Sequence, residues 1–68
     1  MTVVTFRDDQ QELLATWEMF NVPVRNSRIM FGPGLWRVVE GVLWIAANRV
    51  TLYLSEEFDD NAKPVRPK

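Results

Sequence analysis

Arginine and aromatic side chains alternate through the middle of this chain: Arg25, Arg28, Phe31, Trp36, Arg37, Trp44, Arg49 and Tyr53 all fall between residues 25 and 53. Two chemistries draw on that mixture. Trp, Tyr and Arg concentrate binding energy in protein interfaces, because each buries a large surface and still offers a polar edge. The same types hold single-stranded nucleic acid, with aromatic rings stacking on bases and guanidinium groups near phosphates. Other chemistries find less to work with. The chain has no cysteine and no histidine, so disulfides, thiolate nucleophiles, the commonest zinc ligands and the commonest general base are all excluded. Carboxylates occur in pairs at Asp8/Asp9, Glu56/Glu57 and Asp59/Asp60. A general acid needs a carboxyl whose pKa is shifted by a pocket, and adjacent acids on a cap or a tail are usually solvated. The run Glu56–Asp60 lacks the alternating oxygen ligands and mid-loop glycine of a calcium loop. Gly32-Pro33-Gly34 flanks a residue without an N–H, so it is a turn and not a phosphate cradle. The expectation is a non-catalytic protein without cofactor or metal.

These residues need elements to hold them. Thr2–Phe6 is β-branched and aromatic, a strand by propensity. Asp8 with Gln11 three residues on has the spacing of a capping box, and Asp9 and Glu12 suit the first turn of a helix. Leu13, Leu14, Trp17 and Phe20 then recur at three- and four-residue spacing, which predicts an amphipathic helix over about 9–20, stopped by Asn21 and Pro23. Residues 28–31, RIMF, form a strand after a turn at Arg25-Asn26-Ser27, and Gly32-Pro33-Gly34 reverses the chain.

The most apolar stretch, Leu35–Leu54, admits two arrangements. A helix over 35–47 would gather Leu35, Val38, Val39, Val42, Leu43 and Ala46 on one arc, against the cost of Gly41 and several β-branched residues. A meander of strands at 35–39, 42–46 and 50–54 would turn at Glu40-Gly41 and Ala47-Asn48. Pairing outward from those turns places Trp36, Val38, Leu43, Ile45, Val50, Leu52 and Leu54 on one apolar face. The opposite face receives Leu35, Arg37, Val39, Val42, Trp44, Arg49, Thr51 and Tyr53. The fold class expected is therefore α+β: one helix lying on the apolar face of a small antiparallel sheet, in a single domain over 1–58. The polar segment 59–68 reads as a disordered tail.

On that arrangement Arg37 sits across from Trp44 as a cation–π pair, Trp44 pairs with Thr51, and Tyr53 and Phe31 lie nearby. Phe31, Arg37, Trp44, Arg49, Thr51 and Tyr53 are the candidate partner-binding residues, on a face that no element of this chain covers. Charge is uneven beneath a net −1. Residues 1–21 sum to −3, 22–54 to +3 and 55–68 to −1, so a basic centre lies between acidic flanks. With 47% hydrophobic residues the composition is that of a globular domain. No signal segment opens the chain, and Arg37 and Glu40 would make a membrane span costly, so a cytoplasmic protein without a membrane partner is expected. A core this small is completed easily by self-association.

Val22-Pro23-Val24, following the predicted helix, and Glu40-Gly41-Val42-Leu43 with its apolar strand together resemble the first motif of the Sm-like RNA-binding family. The resemblance covers about thirty residues, and the chain has no counterpart of that family's second motif. It implies RNA binding. The primary expectation is a protein partner, either a second copy of the chain or a larger macromolecule, met for self-association, regulation or inhibition. Single-stranded nucleic acid is the alternative occupant of the same face.

Overall fold

A computed structural model describes residues 1–61 and 63. It contains six strands and, among the described residues, no helix: β1 Thr2–Arg7, β2 Leu13–Met19, β3 Arg28–Gly32, β4 Leu35–Ala46, β5 Arg49–Leu54 and β6 Phe58–Asp59. The architecture is a curled mixed sheet ordered β2-β1-β5-β4-β3, with β6 beside the first residues of β4. All neighbours are antiparallel except β1 and β5, which run parallel through the middle, Val3 opposite Arg49 and Arg7 opposite Tyr53.

The sheet curls far enough for its two ends to touch. Trp17 on β2 stacks on Phe31 of β3 with ring centroids 5.6 Å apart, and Phe6 of β1 meets both rings edge-on. Below these rings lie Val4, Phe6, Val39, Val50, Leu52 and Leu54, which are fully buried. Leu14, Ala15, Met19, Val22, Ile29 and Phe31 pack around them. Edge-to-face and offset aromatic contacts add roughly 0.5–1.5 kcal/mol each beyond burial. In this half-barrel they replace the backbone ladder that would join β2 to β3 in a closed barrel.

The α+β expectation is overturned by β2. The segment read as a helix is the outer strand of a hairpin with β1, pairing Thr2 with Met19 and Phe6 with Ala15. The register slips between Phe6 and Arg7, so Leu14 is an extra residue. That bulge explains the misreading. Ala15, Trp17 and Met19 alternate inward as a strand should, and the inserted Leu14 adds a three-residue spacing to Trp17 that imitates a helical stripe. Asp8 does accept backbone hydrogen bonds, from the amides of Gln10 and Glu12 at 2.8 and 2.9 Å. It closes the hairpin loop rather than starting a helix, with Gln11 at φ 64°. The sheet also leaves no helix at 35–47. Nor does a helix precede Val22-Pro23-Val24, which removes the opening element of the Sm-like resemblance.

The strands expected at 35–39 and 42–46 are one twelve-residue strand. Glu40-Gly41 is not a turn. Val39 pairs with Leu54 and Gly41 with Tyr53, leaving Glu40 as an extra residue. The Ala47-Asn48 turn forms as expected, but a second irregularity lies between Trp44 and Ala46. Because Ile45 is extra, Trp44 pairs with Val50, not Thr51. One residue of slip transfers a whole strand to the other face. Val50, Leu52 and Leu54 therefore share the inner face with Val39, Val42 and Trp44, while Leu43, Thr51 and Tyr53 point outward.

The Gly32-Pro33-Gly34 turn is as expected: Pro33 fixes its first corner and Gly34 takes φ 71° at the second. Of the segment read as a tail, Asp59 pairs with Leu35, beside the pair that Phe58 makes with Trp36. Asp59 Oδ1 accepts from the amides of Asn61 and Lys63, and Asp60 accepts from the indole of Trp36 at 2.7 Å. Residues 62 and 64–68 lie outside the described residues.

Candidate functional site

Strand β4 is longer than the strands beside it, and its two halves live in different surroundings. Its first half is enclosed: β3 flanks residues 35–38 on one side, and β6 pairs with Leu35 and Trp36. Ser55 fastens the midpoint. Its amide donates to Val38 O, its hydroxyl accepts from Val38 N, and its carbonyl accepts from Arg37 Nη1 at 3.0 Å. The last bonds on the β3 side join Val39 to Asn26 and Ser27, where Asn26 at φ 73° turns the chain away. Beyond Val39 only β5 accompanies the strand. Among the described residues, the backbone from Glu40 to Ala46 meets no strand on its other side.

This unaccompanied half is apolar. Val42, Leu43, Trp44 and Ile45 are all exposed, Ile45 at 68%. Isolated exposed apolar residues are ordinary on protein surfaces, but a contiguous run on an open strand edge is not. An open edge offers a row of amides and carbonyls to another chain, and proteins usually blunt such edges with lysine, proline or bulges. Gly41–Ala46 carries no charge and no proline. Bulges at Glu40 and Ile45 bound the segment, leaving Gly41–Trp44 as a short window of regular ladder.

The six residues expected to share a face are divided among four settings. Phe31 is half-buried in the aromatic cluster with Phe6 and Trp17. Arg37 is buried and bonded to Ser55. It pairs across to Ile29 rather than Trp44, so the expected cation–π contact is not formed. Thr51 is buried between its ladder neighbours Thr5 and Leu43, and Tyr53 lies across Gly41. Arg49 is exposed opposite Ala46 at the end of the hairpin, and Trp44 is exposed on the unaccompanied half of β4, the arm from Glu40 to Ala46. Trp44 and Arg49 thus lie at the same end of the β4–β5 hairpin, accompanied by Val42, which was expected on the uncovered face, and by Leu43 and Ile45, which were expected to pack under a helix. The uncharged run GVLWIA beside a glycine was the available signal, since glycine inside a strand pattern marks a bulge.

A cleft lies away from this edge. Asp9, Arg28, Val38, Glu40, Ser55, Glu56 and Phe58 line an open cleft of about 590 Å³. The Arg28 guanidinium sits over the Phe58 ring at 5.8 Å. No group of acidic side chains among the described residues is placed to hold a metal ion, and no helix there is long and apolar enough to cross a membrane. Comparison of the chain with known protein families, curated proteins and solved structures finds no match.

Proposed function

We propose that this protein is a non-catalytic interaction module that binds a protein partner through the open half of β4. The observation that carries the reading is the coincidence, over Val42–Ile45, of exposed apolar side chains with an unaccompanied strand edge. Strand addition at such an edge gains affinity from backbone hydrogen bonds and selectivity from alternate side chains. Here the partner's inner side chains would meet Val42 and Trp44, and its outer ones Leu43. Hydrophobic contact at Trp44 supplies the anchor that such interfaces concentrate their energy on. A cytoplasmic setting accords with a chain that has no cysteine.

Selection from a displayed library of extended decapeptides tests the reading. Binders are expected to lose affinity at least tenfold against Leu43→Asp and Trp44→Ser, an energy of about 1.4 kcal/mol or more. Phe20→Ser, which alters an exposed apolar residue off the arm, is expected to leave binding unchanged. Absence of any arm-dependent peptide, together with salt-sensitive binding of a labelled oligonucleotide that Arg49→Ala abolishes, would replace the reading with nucleic-acid binding.

A further inference from the structure

We infer that the occupant of the open β4 edge is a second copy of this chain, added antiparallel across a two-fold axis at Leu43. The inference rests on the protein-binding reading and names its partner. A two-fold axis perpendicular to a sheet is the symmetry that lets a strand edge pair antiparallel with its own copy, and it preserves the face of every side chain. An axis at Leu43 sets Leu43 opposite Leu43 of the partner subunit on the outer face. It sets Val42 opposite Trp44 of the partner subunit on the inner face, so the two apolar interiors run together. The bulges at Glu40 and Ile45 hold the regular window to Gly41–Trp44, which favours this register over longer slips.

Charge selects the same arrangement. Glu40 stands at one end of an otherwise uncharged segment, and Arg49 stands at the other, beside Ala46 in the hairpin. An antiparallel copy brings Glu40 to the Ala46 and Arg49 end of the partner subunit, opposite sign to opposite sign. A parallel copy would set Glu40 against Glu40. Burial argues for a copy as well, because among the described residues the exposed large apolar side chains outnumber the fully buried ones. A small sheet that leaves Val42, Leu43, Trp44 and Ile45 in water gains its missing cover from the one surface certain to be present wherever the chain is. The paired segment is short, at the small end of specific interfaces, so a dissociation constant on the order of 10 µM is expected.

Sedimentation velocity over a concentration series through that range reads the association, and two sets of variants read its geometry. Glu40→Arg and Arg49→Glu are each expected to weaken the dimer about tenfold, and the double charge swap to restore it. Leu43→Cys, in a chain with no cysteine of its own, is expected to form an intermolecular disulfide under mild oxidation, since directly opposed residues fall within the spacing a disulfide spans. Thr16→Cys, exposed on β2 and away from the paired edge, is the control and should form no intermolecular disulfide. A strict monomer at millimolar concentration overturns the second copy. If arm-dependent peptide binding persists in that monomer, the wider reading stands with another partner, and if it does not, both fall. A dimer whose charge swap gives no rescue and whose Leu43→Cys does not cross-link overturns the antiparallel register.

Discussion

Asp8 promises two structures with one set of bonds. A short carboxylate that accepts from amides just ahead of it can start a helix, through those two or three residues on, or close a hairpin, as Asp8 does through those two and four residues on, because both leave nearby amides without partners. The sequence announces the acceptor, and only the pairing of β1 with β2 decides which structure uses it. Asp8→Ala is expected to cost about 1 kcal/mol, seen as a lower urea midpoint, while Asp8→Asn retains most of the stability. The arm residues behave oppositely. Leu43→Asp removes an exposed side chain that supports little of this chain's own core, so its effect on a monomer's unfolding free energy should stay within about 0.5 kcal/mol. Its effect on binding is large. Urea denaturation at low concentration separates the two roles.

Bulges are where strand legibility ends. Thr2–Phe6, RIMF, the Pro33-Gly34 turn and the Ala47-Asn48 turn are visible in the residues, since propensity and turn chemistry act over a few neighbours. Leu14, Glu40 and Ile45 are not, because an extra residue on one strand is defined by what lies on the next. Each erases the period-two pattern at one point and shifts everything after it. The slip at Leu14 turned a strand into an apparent helix, and the one at Ile45 sent β5 to the wrong face. The same slips scattered the six candidate site residues, of which Trp44 and Arg49 remain together. At the Gly34 corner the cause is local and the cost is predictable. Its positive φ disfavours any side chain, and an added Cβ would lie 3.1 Å from Asp60 Oδ2. Gly34→Ala is therefore expected to lose about 1 kcal/mol and to loosen the Asp60–Trp36 bond. Denaturation measures the first effect, and the Trp36 indole N–H resonance reports the second.

The molecule as a whole depends on very few side chains. Phe6, Leu52 and Leu54 are the largest fully buried ones, and a domain of this size has little stability to spare. Leu52→Ala should cost about 2–5 kcal/mol, enough to leave a large unfolded fraction at 37 °C by circular dichroism. The intact protein should give a strand spectrum without the helical minimum that an α+β protein would show. The parallel seam between β1 and β5 has a kinetic consequence. Val3 finds its partner at Arg49, so the β1–β2 hairpin is synthesised early and must keep its apolar side open until nearly the whole sheet has followed. Long-range closure of that kind places refolding on the millisecond-to-second scale, far slower than the microseconds of an isolated hairpin. During that wait the first hairpin is the part of the chain most in need of a chaperone's protection.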